Sequence, residues 1–183
     1  TGDIIHYLHS DDYYGDPKAL QRVAEYFQKN KDLMWLTGNF MVEVKGQRLV
    51  IPHTHILRVN PEKALSVMNI IHHENTFMKT NLVKKYGGFN EEKGLVVEYS
   101  LWLNLIKDHK PKVVNDQFTV FIIHKGSTST GNLFKFSKAI LRAFKTQRNE
   151  KILPFIGEYQ DKTVYKNYKL VVKSLKKLNK LLS

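Results

Sequence analysis

The chain has 183 residues, of which 42% are hydrophobic and 25% charged, with a formal net charge of +12 and no Cys. That length sustains one domain with a buried core, alone or with an appendage, and the balance is that of a globular chain. Disulfides and thiolate metal sites are excluded, and no apolar run reaches the roughly 20 residues of a membrane span. The charge is uneven. Residues 1–129 carry 16 Lys and Arg against 14 Asp and Glu, whereas residues 130–183 carry 13 against 3. A near-neutral body with a basic tail argues against a nucleic-acid cleft in the body and points to an anionic partner for the tail.

The first element is an apolar run, Ile4-Ile5-His6-Tyr7-Leu8, that stops at Ser10-Asp11-Asp12. Its β-branched and aromatic content reads as a strand with two carboxylates at its carboxyl end, where open α/β sheets bind ligands. Adjacent carboxylates repel each other and stay ionised most readily beside a cation, and oxygen donors on a turn suit Mg²⁺ or Mn²⁺. The same pattern also serves as a turn and helix cap. Thr1-Gly2-Asp3 leads straight into this strand with no initiator Met, which is expected of a cut within a longer protein.

Tyr13 to Pro17 reads as a turn, with Asp16 capping a helix that opens at Pro17 and shows Leu20, Val23, Ala24 and Phe27 on one face. Leu33 to Val44 predicts one or two strands broken near Gly38, and Gly46 turns the chain into a strand at Arg48 to Ile51. Pro61 to Met68 predicts a short helix. Another runs from Thr80, as its cap, to Tyr86 and stops at Gly87-Gly88. Tyr99 to Lys107 predicts an amphipathic helix, and Val113-Val114 and Thr119 to Ile123 the last strands. His53-Thr54-His55 lacks a spaced third ligand and reads as a solvated loop. Trp35, Phe77 and Trp102 read as core. In the tail, Leu133 to Phe144 and Val164 to Leu182 form apolar stripes, the second close to a heptad seam flanked by lysines.

Taken in order, these pieces resemble the family 2 glycosyltransferases of GT-A fold. Thr1-Gly2-Asp3-Ile4-Ile5 through Ser10-Asp11-Asp12 is similar to that family's strand and DxD-type motif, and Pro17-Lys18-Ala19-Leu20 to the following helix. His73-Glu74-Asn75-Thr76-Phe77 with Gly87-Gly88-Phe89-Asn90-Glu91 resembles the acceptor-side block. Glu98-Tyr99-Ser100-Leu101-Trp102-Leu103 resembles the helix that carries the catalytic carboxylate, and His124 to Ser129 the end of the catalytic domain. The resemblance covers residues 1–129 and leaves 130–183 as a basic helical tail. Departures are Glu98 for an Asp, Ser100 for a second Asp, Asn104 for an Arg and Ile122-Ile123 for Tyr-Arg.

The resemblance implies an α/β, GT-A-like nucleotide-diphospho-sugar transferase sheet with flanking helices, lacking its N-terminal half. It implies inverting transfer from a nucleotide-sugar donor to the hydroxyl of a glycan or lipid-linked acceptor, in polysaccharide or glycolipid assembly. Glu98 is then the catalytic base, Asp12, Asp11 and His124 the ligands of Mn²⁺ or Mg²⁺, and Ser10, His73, Glu74 and Trp102 contacts to donor or acceptor. It further implies a cytoplasmic protein whose tail lies peripherally on an anionic membrane surface, at the inner face of the plasma membrane. A homo-oligomer is compatible with open strand edges, and the fragment by itself is expected to be inactive. The competing class is a non-catalytic binding or scaffold module acting through the tail. Nucleic acid is not the expected partner, because the tail's lysines are not interleaved with aromatics as a stacking platform requires. A nuclease or nucleotidyltransferase would also use paired carboxylates but leaves the Gly-Gly-Phe block unexplained.

Overall fold

A computed structural model of the chain describes residues 2–51, 57–58, 60–67, 69–89 and 97–124. The tail helices, the His53-Thr54-His55 loop and the stretch from Lys125 to Ser129 lie outside the described residues. What is described is mixed α/β, with two four-stranded mixed sheets and a few short helices. The strands are β1 (Ile4–His6), β2 (Tyr13–Tyr14), β3 (Trp35–Thr37), β4 (Phe40–Val44), β5 (Gln47–Ile51), β6 (Thr76–Lys79), β7 (Lys112–Val113) and β8 (Thr119–Ile123). The helices are α1 (Ala19–Lys29), α2 (Pro61–Val67), α3 (Thr80–Lys85) and α4 (Val97–Leu105).

The first sheet has the order β1-β6-β3-β7, and the second β2-β8-β4-β5. β6 is antiparallel to both β1 and β3, and its register aligns Phe77 with His6 and Leu36, and Met78 with Ile5 and Trp35. Successive side chains on a strand face opposite ways. Leu36 and Phe77 therefore pack with Ala19, Val23 and Phe27 of α1 on one face. Trp35 and Met78 pack on the other with Leu82, Val83, Tyr99, Trp102 and Leu105 from α3 and α4. Trp35 and Trp102 stack with ring centroids 5.6 Å apart, and both are fully buried. Trp35, Phe77 and Trp102 are core as expected.

The two sheets meet where the chain changes from one to the other. β3 runs parallel to β7 and β4 runs parallel to β8, so two segments cross the junction side by side. Gly38-Asn39 makes one crossing and residues 114–118 the other. Between them sits Asn75, 1% exposed, at the end of a 3₁₀ turn, His73–Asn75. Its Nδ2 donates to the Asn39 carbonyl at 2.6 Å, and its Oδ1 accepts from the Phe118 N–H at 2.8 Å and the Thr119 N–H at 3.3 Å. Gly38 has no room for a side chain, because a Cβ there would lie 2.3 Å from the Asp116 carbonyl oxygen and 2.6 Å from Asn75 Nδ2. Arg22 ties α1 to the junction, with two bonds to Asp16 and one, at 2.9 Å, to Asp116.

Local sequence rules hold at the turns. Lys45 and Gly46, at φ of 50° and 77°, form the two-residue turn joining β4 to β5. Both central residues at positive φ match the twist of a hairpin, as in a type I′ turn. After α3, the Gly88 N–H donates to the Val83 carbonyl and the Gly87 N–H to the Lys84 carbonyl, with both glycines left-handed. This is the Schellman closure of a helix.

Several expectations need correction. The first strand ends at His6, so Tyr7 to Asp12 is a loop and not the strand's tip. Tyr13 and Tyr14 form β2 instead of a turn, because β8 is there to pair with them. α1 begins at Ala19, and the Asp16 side chain accepts from the Lys18 N–H before the helix starts. Leu20 is 49% exposed, and Ala19 takes its expected place in the core. Thr80 does not cap α3 but is its first residue, and its hydroxyl donates to the Gly2 carbonyl, tethering the start of β1. α4 begins two residues earlier than the amphipathic pattern, which brings Val97 and Glu98 into the helix.

Asn75→Ala should cost on the order of 3 kcal/mol or more in urea denaturation, because a buried donor left without its acceptor costs about 1–3 kcal/mol and Asn75 serves several groups. Gly38→Ala should cost about 1–3 kcal/mol by overpacking. Midpoints within error of the parent for both variants would show that the junction does not hold the sheets together.

Candidate functional site

Four segments bring chemistry-bearing side chains together: the loop after β1 (His9, Asp11, Asp12), the 3₁₀ turn (His73, Glu74), the first turn of α4 (Glu98) and the end of β8 (Ile122, His124). The turn is fixed first. The Glu74 carbonyl accepts from His6 Nε2 at 2.8 Å and from the Thr119 hydroxyl at 2.5 Å. A carbonyl can only accept, so His6 carries its proton on Nε2, and Nδ1 accepts from the Tyr14 hydroxyl at 3.2 Å. His6 also stacks on Phe77. Thr76 completes the anchor, donating to the His72 carbonyl at 2.8 Å while its oxygen lies 3.0 Å from that of Thr37.

Glu74 is buried, and its Oε2 has no hydrogen-bond partner. Its Oε1 lies 3.3 Å from His73 Nε2 and 3.8 Å from His9 Nε2, and the two imidazole nitrogens are 2.6 Å apart. Burial, with repulsion from Asp12, Glu98 and Asp11, pushes the Glu74 carboxyl up to about 7. Burial, reinforced by His9 and His6, pushes His73 down to about 4. At neutral pH, therefore, His73 is neutral and Glu74 is poised between its two states.

The carboxylates of the loop divide the work differently. Asp12 is 8% exposed, and its Oδ1 accepts from the Ile122 N–H at 3.0 Å while Oδ2 is without a hydrogen-bond partner. Burial raises its pKa against the pull of that N–H. Asp11 is exposed and pairs with His124 at 2.8 Å, and that hydrogen bond holds its carboxyl below the usual range. Glu98 is half-buried, and burial raises its pKa while His9 draws it down.

The sequence-derived residues thus fare unevenly. Asp11, Asp12, His124, His73, Glu74 and Glu98 form one electrostatic neighbourhood, and Ser10 lies exposed within the loop. Trp102 does not belong to it. Fully buried between Trp35 and Phe89, it has no surface to offer a donor or acceptor, and its assignment as a binding residue is corrected to core. The residue that sequence reasoning missed is His9. It stands two positions before Asp11, and its partners are 64 and 65 positions away, so no local spacing reveals it. Away from this cluster, a small pocket opens between the Gly87-Gly88 cap and α4, lined by Tyr86, Ser100 and Asn104 among others.

No model of a known protein family matches the chain, and no curated protein does either. Among the described residues, no helix is long and apolar enough to cross a membrane.

The raised pKa of Glu74 fixes the sign of a pH effect. Its folded value, about 7, lies above the ordinary glutamate value of 4.5, so the favourable contribution is full below about 4.5 and is lost as pH rises through about 7. Glu74→Gln removes this loss. In chelator-treated protein, the stability of Glu74→Gln relative to the parent should therefore increase between pH 4.5 and 8, by up to about 3 kcal/mol. Urea denaturation of both proteins across that range measures it, and a constant difference would show an ordinary carboxyl.

Proposed function

We propose that the described residues form the metal and acceptor side of a group-transfer enzyme whose leaving group is a diphosphate. More particularly, we read it as an inverting glycosyltransferase of GT-A fold that moves a sugar from a nucleotide-diphospho-sugar to an acceptor hydroxyl in glycan or glycolipid assembly. The observation that carries this reading is the meeting of Asp11, Asp12, Glu98 and His124 around one buried turn, from segments more than 100 residues apart at the extremes. The order of motifs along residues 1–129 supports it from the sequence side.

The reading takes Mn²⁺ or Mg²⁺ as its cofactor. Asp12 has a buried oxygen without a hydrogen-bond partner, and Asp11 and His124, whose charges act on it, pair with each other at 2.8 Å. The ligand atoms of these three do not gather within 4.8 Å as those of His9, His73 and Glu74 do, so holding an ion there requires them to move together. Carboxylate oxygens suit either ion, and an imidazole favours Mn²⁺ of the two. Asp12, Asp11 and His124 would hold the ion, which when bound neutralises charge on the diphosphate.

The remaining work belongs to the chain. Glu98 takes the proton of the acceptor hydroxyl as that oxygen attacks the anomeric carbon and the bond to the diphosphate breaks. Its raised pKa strengthens it as a base, while its place in the first turn of α4 lets the helix dipole favour the ionised form. Ser10 and His73 line the same loop and turn, where hydroxyl and neutral imidazole can orient sugar hydroxyls. The Ile122 N–H aims Asp12, which couples the loop after β1 to the end of β8.

The test is a donor screen with the full-length protein and Mn²⁺ or Mg²⁺. Glu98→Gln should lower kcat on the order of 10²-fold or more, with donor binding nearly intact. Asp12→Asn, which keeps an acceptor for the Ile122 N–H, should abolish transfer without unfolding the protein. Full turnover in excess chelator, or a Glu98→Gln variant within about twofold of the parent, would overturn the assigned roles.

A further inference from the structure

We propose that His9, His73 and Glu74 bind a divalent transition-metal ion of the Zn²⁺ class, at a site whose donors are separate from Asp11, Asp12 and His124. The three ligand atoms all lie within 4.8 Å of one another. Their separations, 2.6, 3.3 and 3.8 Å, bracket the edge of about 3.3 Å in a tetrahedron with metal–ligand bonds of about 2.0–2.1 Å. Only His9 must shift to equalise them. It is also the member free to do so, with 54% of its side chain exposed, on a loop.

The two imidazoles alone need no ion, since a shared proton accounts for their approach. Glu74 is the independent observation. Its side chain is 7% exposed, Oε2 is unpartnered, and the basic side chains whose nitrogens lie within 4 Å of its carboxylate, among the described residues, are His9 and His73. A buried carboxylate is costly unless a cation or a full set of donors meets it. The turn that carries it is held by His6 and Thr119 and by the hydrogen bonds of Asn75, so Glu74 and His73 are presented rather than free to turn away. Two nitrogens and one oxygen select against Mg²⁺ and Ca²⁺ and, by the ordinary affinity order, favour Zn²⁺ over Mn²⁺. Three protein ligands leave a fourth position for water or an incoming oxygen ligand.

The proposal does not rest on the glycosyltransferase reading, and binding measurements separate the two. Zn²⁺ alone is titrated calorimetrically into the chelator-treated full-length protein, and Co²⁺ is followed by its visible spectrum. The expected result is a tight Zn²⁺ event of one ion per chain that persists in Asp11→Asn, distinct from any weaker event at Asp11, Asp12 and His124, and the bands of a four-coordinate Co²⁺. His9→Ala should weaken Zn²⁺ binding at least about 100-fold, because loss even of outer-shell partners costs about 10–100-fold. Its thermal midpoint without metal should match the parent, as His9 is exposed, and His9→Gln serves as the second variant if His9→Ala is poorly folded. Asp11→Asn should leave Zn²⁺ affinity unchanged. No Zn²⁺ binding by the parent, equal binding by the His9 variants, or loss of binding in Asp11→Asn alone would overturn the site.

Discussion

Everything described in this fold depends on how the chain crosses between its two sheets. A parallel pair of segments passes from one sheet to the other, and at that point neither sheet's ladder supplies hydrogen bonds to the backbone between them. Buried backbone groups must be paired. The Asn39 N–H donates directly to the Asp116 carbonyl, and the Asn75 side chain adds three bonds, donating to one crossing and accepting twice from the other. Its amide fits because Gly38 has no Cβ to occupy the same space. The two sheets are therefore joined by polar complementarity in a place too narrow for apolar packing.

The same constraint builds the site. To reach the junction, Asn75 must sit on a tight turn, and the residues before it, His73 and Glu74, are carried inward with it. The Glu74 carbonyl is satisfied by His6 and Thr119 and the His73 carbonyl by the Thr76 N–H, while the two side chains act on the loop after β1 and, for Glu74, on Glu98 of α4. Burial then acts in opposite directions on the two, raising the acid and lowering the base. The unusual protonation at Glu74 and His73 is a consequence of where the fold needs Asn75.

Around this turn the acidic groups fall into two sets with different physics. Asp11 is exposed and stabilised in its charged form by His124, whereas Asp12 and Glu74 are buried with one oxygen each unpartnered. Placing carboxylates this close disfavours their joint ionisation, and cations relieve that cost most directly. Of these groups, the ligand atoms of His9, His73 and Glu74 gather within 4.8 Å of one another, whereas Asp11 is engaged by His124. Glu98, at the head of α4, is half-buried, and burial raises its pKa above that of a surface carboxylate.

The sequence by itself determined the elements whose causes are local. The break near Gly38, the turn at Gly46, the Gly87-Gly88 helix stop and the α1 face at Val23 and Phe27 each follow from residues a few positions apart. It also picked out Asp11, Asp12, His73, Glu74, Glu98 and His124 as residues of interest. It did not show that Tyr13-Tyr14 is a strand, because its partner lies more than 100 residues on. Composition and periodicity read Trp102 as core whereas the family resemblance made it a binding residue, and its full burial decides for the core. Tertiary structure alone decided that His9 stands against His73, that Asp12 is aimed by the Ile122 N–H, and that Glu74 is buried. The physical reason is that burial and charge proximity are set by long-range packing, whereas turns and periodicity are set by neighbours along the chain.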